Sequence, residues 1–175
     1  MNATAPAGAV RRLACPLALL LAPAAAAQGP LLAFEGQSPG AGAGSAVARL
    51  GDLDGDGVAD HLVGAPGAAP GGPGSGAAYV LSGADASVLL ALAGHAPGDQ
   101  FGAAVSDAGD VDADGIGDIV VGAPQDPVGD SGWGGLGAGY VQVFSGADGA
   151  LLHTWQGEHG LNPNFNSFGR AVAGA

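Results

Sequence analysis

Along this chain the apolar residues come in short runs separated by clusters of Gly, Asp, Ser and Pro. No segment sustains the spacing of about 3.6 residues that would bury one face of a helix. Runs bounded by turn-forming residues predict β-strands. Between residues 101 and 157 they read "GAAVSDA", "DIVVGA", "GYVQVFSG" and "LLHTWQG". Ser-Gly-Ala-Asp, at 82–85 and again at 145–148, falls between the last two strands of a set, where Gly and Asp tolerate the backbone angles of a tight hairpin. Tyr140, Phe144 and Trp155 occupy positions expected to face a strand core. The pattern predicts an all-β chain.

The pattern also repeats. "GDLDGDGVADHLVGAP", from Gly51, returns 58 residues later as "GDVDADGIGDIVVGAP", from Gly109. Upstream, "AGSAVARL" (Ala43 to Leu50) matches "FGAAVSDA" (Phe101 to Ala108). Downstream, "GAAYVLSGADASVLLALAG" matches "GAGYVQVFSGADGALLHTWQG" after small insertions. A third copy opens at "FGRAVAGA", Phe168 to Ala175. Four short strands recurring at this interval predict four-stranded antiparallel β-propeller blades with loops rich in Asp, about two of them plus the start of a third. A single blade cannot bury both its faces, so it needs neighbours. The expected divisions are a linker and start of the first blade at 28–42, repeats at 43–100 and 101–167, and the opening of a third at 168–175.

Counted from Asp52, carboxylates stand at the first, third, fifth and ninth positions: Asp52, Asp54, Asp56 and Asp60. Gly57 holds the sixth and the Val58 carbonyl the seventh. The second loop offers Asp110, Asp112, Asp114 and Asp118, with Gly115 and the Ile116 carbonyl. Hard oxygen donors from alternate positions of a tight loop, with glycine at the bend, suit Ca²⁺; Mg²⁺ demands a stricter octahedron and keeps its waters. An EF-hand is excluded, because its twelfth position should be a bidentate Glu and is here Val63 or Val121, in strand-like runs without flanking helices. Solvated Asp-Gly turns would explain one such cluster as well as a metal does. Two clusters in one frame favour the metal, since carboxylates crowded this closely repel one another unless a cation lies among them.

Phe101-Gly102 precedes the second Asp loop, Gly122-Ala123-Pro124 follows it, and Phe168-Gly169 opens the third unit. In these motifs roughly residues 34 to 175 resemble the FG-GAP repeats of the integrin alpha-chain propeller and of related secreted bacterial proteins. The resemblance implies calcium in the Asp loops and a closed ring of about seven blades. The first repeat departs from it, with Ala43-Gly44 in place of Phe-Gly, so its first strand is expected to pack less well. Two blades and a start do not close a ring. Closure is expected either from further blades of a longer chain, of which this is a truncated piece, or from self-assembly; ending in mid-repeat favours the first.

Composition changes the picture in two places. Gly 35 and Pro 12 make about a quarter of the 175 residues, a level typical of low-complexity chain, so the repeat and not the composition argues for a fold. Residues 1–27 read as a secretory signal: Arg11 and Arg12, an apolar run from Leu13 to Ala22 too short to span a bilayer, then small residues at Ala25 to Ala27. A twin-arginine route fits the following residues poorly, and Cys15 lies inside the signal, which argues against a lipid anchor. Removing the signal leaves no cysteine and keeps all sixteen acids against Arg49 and Arg170. Such a chain cannot use disulfides and should avoid nucleic acid and anionic membranes. A divalent cation is the expected staple, and the expected location is secreted or cell-surface, extracellular or periplasmic, without membrane insertion after cleavage.

Other motifs are weaker. "GWGGLG", with Gly132, Gly134 and Gly137, precedes a strand instead of opening a helix, so it is not read as a dinucleotide loop. There is no G-x-S-x-G elbow and no cysteine nucleophile outside the signal, so no enzyme is expected. His153, Glu158 and His159 lie close enough in sequence to bind a transition metal, although strand and loop polarity explain them more simply. Trp133 either anchors a partner or covers a neighbouring blade, with cover preferred. The function expected is an extracellular calcium-binding module for adhesion or ligand binding, with an unknown protein or glycan as partner and calcium in a structural role. The alternatives are a non-catalytic propeller in a larger secreted enzyme, phospholipase- or hydrolase-like, and a structural surface repeat without a ligand.

Overall fold

The computed structural model describes residues 34, 36, 39–124, 139–157 and 168–174. Eight strands form there: β1 (Ala46–Arg49), β2 (His61–Ala65), β3 (Ala77–Leu81), β4 (Val88–Ala93), β5 (Ala104–Gly109), β6 (Asp118–Ala123), β7 (Tyr140–Phe144) and β8 (Leu151–Gln156). They make two antiparallel four-stranded sheets, β1-β2-β3-β4 and β5-β6-β7-β8, each in chain order. Successive strands are thus paired as hairpins, the connection open to antiparallel neighbours. These are the two predicted blades. The signal segment 1–27, Trp133, the glycines of "GWGGLG", Glu158 and His159 lie outside the described residues.

The sheets pack face to face through Leu62, Val80 and Leu92 of the first and Ile119, Val121, Tyr140 and Phe144 of the second. Phe101 is 0% exposed between them, with its ring edge-on to Phe144 at 5.9 Å and tilted against Tyr140 at 6.3 Å. The glycines beside it explain the spacing of the motif. Gly102 N–H donates to the Gly122 carbonyl of its own repeat, while a Cβ on Gly64, in the preceding repeat, would collide with the Gly102 carbonyl. Gly122 and Gly169 stand in the same relation one blade further on. Phe-Gly and Gly-Ala-Pro are thus the two sides of one close backbone approach, and only residues without a Cβ allow it.

Strand register corrects the alignment of the downstream halves. Gly76 bridges to Phe101 and Gly139 to Phe168, both in parallel, so Gly76 and Gly139 are equivalent. Val63 pairs with Tyr79, and its repeat mate Val121 pairs with Gln142. Tyr79 therefore corresponds to Gln142 and Ala77 to Tyr140, although the shared Tyr-Val text suggests that the two tyrosines match. Gln142 is buried between the sheets, with its Nε2 3.2 Å from both Thr154 Oγ1 and His95 Nε2.

One further expectation changes, and another holds for a different reason. Tyr140 and Phe144 are buried as expected, but Trp155 is 50% exposed. It pairs with Val141 on the side of the second sheet away from the first, and lines an apolar groove there with Val120, Val143 and Phe168. Val47 on β1 is 68% exposed whereas its repeat mate Val105 packs against the core. The difference comes from position: a sheet faces Val105, while on the Val47 side Phe34 lines a smaller apolar recess. The glycine half of Ala43-Gly44 keeps its role, since Gly44 N–H donates to the Gly64 carbonyl as Gly102 does to Gly122.

Candidate metal centre

Each Asp loop joins the first two strands of its blade. Antiparallel pairing holds its ends together: Leu50 N–H donates to the Asp60 carbonyl and Asp60 N–H to the Gly51 carbonyl, both at 2.9 Å. Within that closed base the chain turns sharply, with φ of 91° at Gly57 and 92° at Gly115, so the sixth-position glycines do what their spacing predicts. The fourth position also turns left-handed, at Gly55 (φ 80°) and at Ala113 (φ 61°). Alanine there is strained, because its Cβ crowds the following carbonyl.

The turn aims backbone N–H groups inward at the first aspartate. Asp52 accepts from Gly55 (2.7 Å), Asp56 (3.1 Å) and Gly57 (2.8 Å). Asp110 accepts from Asp114 and Gly115, both at 3.0 Å. Asp54 and Asp112 each accept from the backbone two residues on, at 3.1 Å. For Asp54 that bond lowers the pKa, yet desolvation and repulsion by Asp56, Asp60 and Asp52 outweigh it and the net shift is upward. For Asp112 desolvation comes first and repulsion by Asp114, Asp118 and Asp110 adds to it, against the Asp114 hydrogen bond, again a net upward shift. The charged forms of these two side chains are short of compensation.

Asp60 and Asp118, at the ninth position, are fully buried. Each takes one donor from its own loop, Leu53 N–H (2.8 Å) or Val111 N–H (2.6 Å). Each takes a second from the hairpin between the last two strands, Gly83 N–H (2.9 Å) or Gly146 N–H (3.1 Å). That hairpin was expected to need glycine for its backbone angles. The left-handed residue is instead Ala86 (φ 61°) or Gly149 (φ 75°), later in the turn. Gly83 and Gly146 lack a side chain for another reason: a Cβ would strike the carbonyl of Ala59 or Gly117. Their part in the loop is invisible in a ligand count; the return of Ser-Gly-Ala-Asp in both repeats was its one trace in the sequence.

The loops thus gather three of their four carboxylates. One oxygen each from Asp52, Asp54 and Asp60 lies within 4.8 Å of the others, and Asp110, Asp112 and Asp118 do the same. Two ligands of one Ca²⁺ lie at most about twice a Ca–O bond of roughly 2.4 Å apart, so separations within this limit are compatible with one shared ion, and the all-oxygen donor set fits Ca²⁺. Asp56 and Asp114 stand outside these trios, exposed, each with Oδ1 turned back to the N–H of Val58 or Ile116 at 2.7 Å. The Val58 and Ile116 side chains lie at the loop exit, exposed and half-buried. His153 is not in either cluster; its ring lies tilted against Trp155, with centroids 5.5 Å apart.

Residues 38–81 match the FG-GAP repeat. The first repeat is thus of the FG-GAP kind, and the similarity to integrin alpha chains supports integrin-like repeats. Over 158 residues the chain is 36% identical to integrin alpha-3 of Cricetulus griseus, and over 158 residues 35% identical to integrin alpha-3 of Mus musculus. Each match takes in 81% of this chain and 13% of the relative, so the chain spans only a small part of the relatives' length. The FG-GAP spacing that these repeats share is the glycine-on-glycine contact between adjacent blades, with the Asp loop carried between its two halves.

Proposed function

We propose that this chain is an extracellular FG-GAP propeller module for adhesion-type binding of a protein or glycan, with calcium ions in the two Asp loops holding each blade together. What carries the reading is the recurrence of one carboxylate trio, in one frame, at the same point of both blades. The upward pull on the Asp54 and Asp112 pKa values supports it, because a bound cation relieves the repulsion behind it. The integrin alpha-3 relatives support the cell-surface setting and a non-catalytic role. The acid excess favours neither nucleic acid nor an anionic membrane as partner. The open apolar sides of the two sheets would take further blades of a longer chain or another copy of this one.

Calorimetric melting in calcium and in chelator tests the metal. Mass action raises the transition wherever the ion binds the folded form alone, with affinity expected at about 10⁻⁴ to 10⁻³ M, as in extracellular calcium modules. An unchanged transition overturns the calcium reading.

A further inference from the structure

We infer that the Ser-Gly-Ala-Asp hairpins, residues 82–85 and 145–148, are positioning elements of the two metal loops, and that ion binding and hairpin closure are coupled within each blade. The inference rests on the calcium reading and adds residues from outside the Asp loops to it. Asp60 is the member of the first trio that the fold buries, and one of its oxygens is held by Gly83, twenty-three residues away in sequence. Asp118 is held in the same way by Gly146, twenty-eight residues away. Both contacts need the hairpin backbone pressed against the loop exit at Ala59 or Gly117, which a side chain at Gly83 or Gly146 would prevent. The same approach brings Leu53 of the first loop against Gly146 of the second blade, within 3.1 Å of where a Cβ would stand.

A buried carboxylate held by two backbone N–H donors is pre-set in direction before an ion arrives. Donors behind a metal ligand typically govern affinity by about 10- to 100-fold. By reciprocity, an ion that favours the oriented Asp60 also tightens the Gly83 bond, and thereby the end of β3 and start of β4. The second blade couples Asp118 to β7 and β8 in the same manner.

The test is calcium chloride titrated into the full chain, with amide NMR reporting Gly57 for the first loop and Gly115 for the second. Gly83→Ala is expected to weaken the first loop about 10- to 100-fold and leave the second near its original value; Gly146→Ala is expected to weaken the second loop by the same factor and the first much less, through its contact with Leu53. Because these variants carry a steric clash, the unmodified chain gives an independent readout: hydrogen exchange of the Gly83 and Gly146 amides should slow on saturation with calcium. A clash that merely loosened the fold would not single out one loop. Calcium binding with unchanged glycine exchange and unaltered loop affinities overturns the coupling and leaves the calcium reading intact. Absence of calcium binding at both loops overturns both.

Discussion

The Tyr140 hydroxyl donates to Asp99 Oδ2 at 2.9 Å, tying the third strand of one blade to the connection between blades. The same oxygen accepts from the backbone of His95 (3.1 Å) and Ala96 (2.9 Å), so Asp99, 2% exposed, shapes its own turn and reaches the next sheet. Tyr140→Phe removes one donor from a buried carboxylate and is expected to cost about 1–3 kcal/mol, read from chemical denaturation.

This pair also sets a pH dependence. Burial first, then the hydrogen bond and charge of Asp99, holds the Tyr140 hydroxyl well above its ordinary pKa, near 10 for a free tyrosine. The unfolded chain therefore loses this proton before the folded one does. The contribution is complete below about pH 10 and falls as pH rises toward the folded value. Melting temperature should drop on the alkaline side, and more gently in Tyr140→Phe; identical alkaline slopes would count against the assignment.

The aspartates of one loop should separate by role. Asp52 accepts three backbone donors and Asp54 one shared donor. Asp52→Ala is expected to destabilise the metal-free chain by about 0.5–1.5 kcal/mol, since water takes up the exposed turn donors and only the net value of the bonds is lost. Asp54→Ala should leave metal-free stability nearly unchanged, and both variants should lose the calcium response of that loop. Denaturation midpoints in chelator and in calcium distinguish the two.

Ala113 pays for a left-handed backbone that Gly55 adopts without strain in the first loop. Ala113→Gly is expected to gain roughly 1 kcal/mol locally and Gly55→Ala to lose a similar amount. Thermal melts of both, in chelator, check the pair of opposite signs.

Phe101 and Phe168 hold the same place in successive repeats, one fully buried and one 44% exposed. Phe101→Ala should cost about 3–5 kcal/mol, the range for a buried aromatic, and Phe168→Ala clearly less. Equal losses in urea denaturation would mean that the groove lined by Trp155 and Phe168 is filled in solution.

By itself the sequence determined what depends on local chemistry and on repetition. Alternating turn and apolar segments specify strands, one frame recurring after 58 residues specifies like blades, and Asp at alternate positions with Gly57 and Gly115 specifies a tight oxygen-lined loop. These follow from backbone angles and short-range pattern, which a chain carries wherever it folds. Only the tertiary structure decided what depends on approach between distant segments. Register made Gln142 the mate of Tyr79 and Ala77 the mate of Tyr140, because strand pairing follows the hairpin and not the letters around it. Packing put Trp155 on an open face and Phe101 in a closed one. The fold also carried the glycines of Ser-Gly-Ala-Asp to the buried aspartates, a contact set by the missing side chain and not by a turn angle.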